Sequence, residues 1–296
     1  MVKKRPAITL FITLAVIVAL LALVGIVFSY LSEARAKAQD KSALIEANLI
    51  YADVSNAVSR YVGKKPSIGT LKNIYSIPIT IKESKGPFSL LAACTAARAA
   101  VPITWLASNG GSKMQSRYNI ASAIIEDIGV QSRLKDTEKL KSMISEALDS
   151  KYVYNFGKEA RLKRRKDYLS WVEFKKILDD YYLKEDDANV YKVAWKSYFA
   201  FGQGFKEIDG NFLSSKLISI IFGIDEKIVE EDFKSGHLKQ FLYDNGADME
   251  LYKSDIFAKK AVVAMECSAN YTFGKGSYSL KFRYINGKVE GFEFNQ

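Results

Sequence analysis

The sequence predicts an α+β fold: a long amino-terminal helix, transmembrane in its first half, packed on a small antiparallel sheet, with a large helical subdomain inserted. Three observations carry this expectation. Residues 7–31 are an uncharged apolar run, AITLFITLAVIVALLALVGIVFSYL, and the helical signal continues from 32 to 62 without Gly or Pro. Strand-like stretches lie both early and late in the chain, and everything between them has helical periods.

At ~1.5 Å per residue the apolar run is about 37 Å long, enough to cross a hydrocarbon core of ~30 Å with some tilt. Ala7 and Leu31 bound this anchor, and Lys3, Lys4 and Arg5 before it hold the amino terminus in the cytoplasm by the positive-inside rule. The rest of the chain then lies outside. A cleaved secretory signal is the competing explanation, because Ala36, Lys37 and Ala38 have the small-x-small form of a cleavage site. Secretory apolar cores run only ~7–15 residues, so a retained anchor is the expectation.

Beyond the anchor, Leu44, Ala47, Tyr51, Val54, Val58 and Tyr61 recur at spacings of three and four, a stripe expected to pack on the sheet. Anchor and stripe together predict one helix of about 56 residues, ~84 Å long, ended by Gly63 and Pro66. Residues 74–81, rich in Ile and Thr, predict a strand; Lys85, Gly86 and Pro87 predict a turn, and 88–91 a returning strand. The expected divisions are 1–31 for the basic start and transmembrane segment, 32–62 for the emerging helix, 63–116 for the first part of the sheet domain, 117–246 for the inserted helices and 247–296 for the closing strands.

Within the insert, Ile120, Ile124, Ile125 and Ile128 mark a helix ending at Gly129, and Leu140, Met143, Ile144 and Leu148 mark a second. Ser170 with Glu173 three residues on is a capping box opening a helix over 171–182. Residues 191–201 read as extended. Leu217, Ile218 and Ile221 mark a further helix that Gly223 ends, with Asp225 capping the next. At the end, 257–270 and 278–285 alternate as strands, and Asn286-Gly287 predicts a tight hairpin into 289–294.

Composition bounds function. Hydrophobic residues make up 48% of the chain, so a real core forms. The net charge of +10 suits solubility or attraction to anionic lipid and acidic partners better than nucleic acid, which a domain outside the membrane seldom meets. The cations Lys158, Arg161, Lys163, Arg164, Arg165 and Lys166 stand close to Asp179, Asp180, Glu185, Asp186 and Asp187, as neighbouring solvated faces do. Cys94 and Cys267 can pair in an oxidising compartment or stand apart as two small buried thiols. His237 is the single histidine, too few ligands accompany it for zinc, and no nucleophile elbow, P-loop, EF-hand or dinucleotide fingerprint is present. Residues 217–225 have half the form of a helix-hairpin-helix, but Asp225 replaces the second glycine and would repel phosphate, so this too points to a protein-protein module. The expectation is a non-enzyme with no cofactor and no metal.

The order of parts resembles the general secretion pathway protein K family, the large minor pseudopilin of type II secretion systems. The resemblance runs through the basic start and apolar helix, ITIKESKGPFSLLA at 79–92, residues 120–149, YLSWVEFKKIL at 168–178, IDGNFLSSKL at 208–217 and the closing strands. It implies a pilin-like shape, processing by prepilin peptidase between Ala7 and Ile8, and a place in the inner membrane with the bulk periplasmic. It also implies other minor pseudopilins and an inner-membrane assembly platform as partners, beside membrane lipid and without nucleic acid. Most pilins keep a glutamate early in the apolar helix to pair with a neighbour's amine; here no acid precedes Glu33, as suits a subunit at the tip. The alternative is a bitopic protein whose outer domain binds a ligand or partner unrelated to pili.

Overall fold

The computed structural model describes residues 5–63, 66–82, 89–107, 112–150, 163, 168–253, 255–273 and 276–295. Helix α1 is continuous over Arg5–Val62, 58 residues, and stops at Gly63. Nothing in it breaks near Ser32, as the lack of Gly and Pro there requires. Helix α2 (Ile68–Ser76) follows, its first turn capped by the Ser67 hydroxyl, which accepts from the Thr70 amide. Here the expected strand over 74–81 is corrected. The cap and the 3–4 spacing of Leu71, Ile74 and Tyr75 outweigh β-branched content, and the strand starts only at Ile79.

Strands β1 (Ile79–Lys82) and β2 (Ser89–Ala96) pair antiparallel; the expected turn at residues 85–87 lies outside the described residues. The chain then leaves the sheet. Short β3 (Val101–Pro102) leads into a 3-10 turn at Ile103–Leu106, then α3 (Ser112–Ser132) and α4 (Thr137–Asp149). Gly129 does not end α3. A Cβ there would come 2.0 Å from the Thr137 methyl, so this glycine lets the start of α4 close against α3. Next come β4 (Tyr168–Leu169) and α5 (Trp171–Glu185), the latter capped by Ser170 accepting from the Glu173 amide.

Residues 191–201 are not one extended piece. A 3-10 turn at Ala188–Tyr191 and helix α6 (Trp195–Tyr198) occupy most of it, because the buried Trp195 indole donates to the Val190 carbonyl at 2.9 Å and coils the segment. Strands β5 (Phe199–Ala200) and β6 (Gly202–Gln203) pair with β3 and β4 respectively. Helices α7 (Ser215–Phe222), α8 (Glu226–Asp232), α9 (Leu238–Asp244) and α10 (Met249–Lys253) complete the insert. Ser214 and Asp225 cap α7 and α8 with their side chains, and Gly223 ends α7.

The closing strands β7 (Ala264–Phe273), β8 (Gly276–Ile285) and β9 (Lys288–Asn295) return to β2, giving a five-stranded antiparallel sheet in the order β1-β2-β7-β8-β9. Asn286 and Gly287 both take positive φ, 49° and 85°, the two-residue turn whose twist matches its flanking strands. Residues 257–263 are not strand: Phe257 is buried among the helices, stacked on Phe222 and Tyr252.

Two hydrophobic cores result. One joins α1, α2 and the sheet; the other fills the helical body. The helical core includes Val101, Ile103, Trp105 and Leu106 before it and Ile256 and Phe257 after it, so the body extends beyond the expected 117–246 on both sides. These segments lack helical period but carry large apolar side chains that only the body can bury.

Candidate assembly surface

Every described side chain from residue 10 to 38 is exposed, and those of the apolar run are Leu, Ile, Val, Phe and Ala almost throughout. Among the described residues this is the one helix long and apolar enough to cross a membrane. A rod of that kind needs lipid or other helices around it.

From Ala43 onward α1 acquires a buried face. Ala43, Ala47, Ile50, Val54, Val58 and Val62 pack against the sheet, and the Tyr271 hydroxyl on β7 donates to the Ala43 carbonyl at 2.6 Å. Tyr51 is half-buried, edge-on to Phe282 on β8 with ring centroids 5.3 Å apart. Two residues of the expected stripe are corrected: Leu44 is 42% exposed and Tyr61 57%. The small residues Ala43 and Ala47 let helix and sheet approach closely, and Leu44, turned about 100° from Ala43, falls off that line; at the far end Val58 and Val62 are buried in place of Tyr61. Leu44, Ile45 and Leu49 consequently form an exposed apolar patch where the helix emerges from its apolar half.

Cys94 on β2 and Cys267 on β7 are register partners and are joined as a disulfide, with no free cysteine remaining. Both are buried between sheet and spine. The bond ties the amino-terminal part of the sheet to its carboxy-terminal part across 173 residues.

A second set of residues fixes the helical body to the sheet. Arg283 on β8 pairs with Glu266 on β7 at 2.9 Å and donates to the Phe201 carbonyl of the body at 3.2 Å. Gly202 makes this possible: its φ is +97°, and a side chain there would press on the guanidinium. Arg98 lies 5.4 Å over the Phe205 ring, while the Trp105 indole donates to the Phe205 carbonyl at 3.0 Å. The buried Asp209 carboxylate accepts from the Asn211 amide and side chain, and its own amide donates to the Arg98 carbonyl. Burial pushes the Asp209 carboxyl above its ordinary value, against hydrogen bonds from Asn211 and the Arg98 charge that lower it. The same burial, with Asp209 nearby, raises the Tyr75 hydroxyl well above the ordinary tyrosine range. Between body and sheet lies an open cleft of about 400 Å³ with mixed charge, lined by Arg98, Lys206, Glu207, Glu266, Arg283 and Glu290 among others.

The expectation of a solvated acidic face is corrected at Asp180 and Asp187, which are buried. Asp187 is buried, accepting from the Lys135 and Asn189 amides; Asp180 pairs with Lys184, and Asp179 accepts from the Tyr191 hydroxyl. His237 is exposed at the start of α9. Among the described residues no group of three or more His, Cys, Asp or Glu is placed to hold a metal ion. Of the basic run at 158–166 only Lys163 is described. Ala7 and Ile8, the expected processing position, are helical within α1.

A long apolar spine, a sheet laid over its second half and a helical body inserted between strands match a solved arrangement. The chain is similar to a chain of the crystallised GspK-GspI-GspJ complex from the type 2 secretion system of enterotoxigenic Escherichia coli. The match covers 89% of this chain and 99% of that one at 11% identity, with a TM-score of 0.63. The two chains share a fold. It is the pilin-like α+β fold that the resemblance implied. No protein-family model matches the chain, and no curated protein matches it.

Sequence reasoning missed the residues that join body to sheet. Arg283, Glu266 and Tyr271 sit in strands whose alternation shows which face they occupy but not what lies across it. The Asp209-Gly210-Asn211 turn carried a signal, since short polar residues beside glycine bond their own backbone.

Proposed function

We propose that the chain is a non-enzymatic, membrane-anchored minor pseudopilin-like subunit at the tip of a type II secretion pseudopilus, supporting filament assembly and protein export. The observation that carries this is the unbroken α1, apolar and exposed in its first half and the spine of the folded body in its second, within a fold shared with a chain of a minor pseudopilin complex. In this reading Lys3, Lys4 and Arg5 stay cytoplasmic, 7–31 cross the inner membrane, and the body is periplasmic. The disulfide suits that oxidising compartment. Leu44, Ile45 and Leu49 meet the helices of neighbouring subunits. No acid precedes Glu33, so no unpaired carboxylate is left in lipid at the position where a tip subunit has nothing above it.

Partners are other minor pseudopilins, the inner-membrane assembly platform and lipid, with no role for nucleic acid. The test is co-purification from detergent-solubilised membranes with co-produced minor pseudopilins, alongside mass analysis of the mature terminus. Recovery of a stoichiometric complex and an amine-methylated terminus at Ile8 is the expected result. An isolated chain that begins at Met1 would overturn the reading.

A further inference from the structure

Helix α5 buries Phe174, Ile177, Leu178 and Tyr181 in the body, yet also turns Val172, 62% exposed, and Leu183, 66% exposed, outward. Beside Val172 a groove of about 430 Å³ opens between α5 and residues 191–195. Its floor is Leu178 and Trp195, both buried; its walls are Trp171, Val172, Tyr191 and Val193. A pocket of that size and lining takes one large apolar side chain with its flanking backbone.

The rim is cationic. Lys175 and Lys176 line it, and Lys196 stands 4.8 Å over the Trp171 ring. Asp179 is the one carboxylate in the lining, and it is already engaged by the Tyr191 hydroxyl at 2.8 Å. The Tyr191 hydroxyl, protonated at neutral pH as tyrosine ordinarily is, stays a donor to Asp179. An apolar slot rimmed by lysines selects an apolar side chain bracketed by negative charge.

We propose that this groove docks an acidic protein segment carrying an aromatic or large aliphatic side chain, which fills the slot while its carboxylates meet the lysine rim. The lining belongs to the body alone and needs no other subunit. It goes beyond the assembly role proposed above and does not depend on it.

The test uses the full chain in nanodiscs of neutral phosphatidylcholine, titrated into the fluorescein-labelled peptide Gly-Asp-Glu-Phe-Asp-Glu-Gly and followed by fluorescence anisotropy. Saturable binding is expected, weakened about tenfold or more by Val172→Glu, by paired Lys175→Glu and Lys196→Glu, and by replacing the peptide's phenylalanine with serine. Raising salt from about 50 to about 200 mM should weaken it further. Thermal melts of the variants should match the parent, because the replaced side chains lie at the surface. No saturable binding, equal binding of a peptide with lysine in place of each acid, or indifference to Val172→Glu would overturn the proposal. Equal binding of the serine peptide would do so too, since it would leave only a charged patch. The assay contains no pseudopilin, so its failure leaves the co-purification test untouched.

Discussion

Asp209 is a buried carboxylate at the join of two bodies, and its burial works against the charged form. Because burial raises its carboxyl above the ordinary 3.8, the folded chain holds that proton more tightly than the unfolded one. Its contribution to stability is therefore fullest below about pH 3.8 and is lost as pH climbs through the folded value. Asp209→Asn keeps an acceptor for the Asn211 amide and removes the charge. The variant should melt higher than the parent near pH 7, and the gap should close near pH 4; a lower melting point at neutral pH would mean that attraction to Arg98 outweighs burial. Cys94 and Cys267 offer a second residue-level test. Removing a bridge across 173 residues frees the unfolded chain considerably. The double alanine variant should lose ~2–5 kcal/mol by denaturant titration, and reductant should cost the parent about as much.

Helix α1 carries two apolar faces with different jobs, and substitutions can separate them. Val54 is pressed between spine and sheet, so Val54→Asp would bury an unpaired carboxylate. Its body should be destabilised by several kcal/mol, on the order of 3 or more, seen as a lowered melting transition. Leu49 is exposed on the opposite side. Leu49→Asp should leave that transition in place and, under the role proposed above, reduce recovery of co-produced minor pseudopilins. At this scale much was legible in the sequence. The unbroken spine, the capped starts of α5 and α8 and the closing hairpin follow from local signals: a lack of breakers, a hydroxyl or carboxylate at the first turn, an Asn-Gly pair. Less legible was which turn of α1 touches the sheet. Periodicity marks a stripe, but the contact line opens on two alanines, and alanine weighs little in any apolar pattern.

The whole molecule is two cores joined through a few polar contacts, and only part of that was readable from the chain. Residues 101–106 and 256–257 belong to the helical body because their side chains are large, not because their order is periodic. The join itself depends on partners far apart in sequence, Arg283 with Phe201 and Arg98 with Phe205, which no local pattern marks. Arg283→Ala should therefore loosen body from sheet without unfolding either. Faster hydrogen exchange around residues 199–206 with a nearly unchanged main melting transition is the expected outcome. The pairing of β2 with β7 has a further consequence. In the reading proposed above the α1 anchor inserts first and the body follows in chain order, so β2 has no neighbour on its β7 side until the last strands arrive. The helical body, complete by residue 257, can mature while it waits. A chain that stopped before β7 would carry an open edge on β2 and leave Cys94 without its bonding partner.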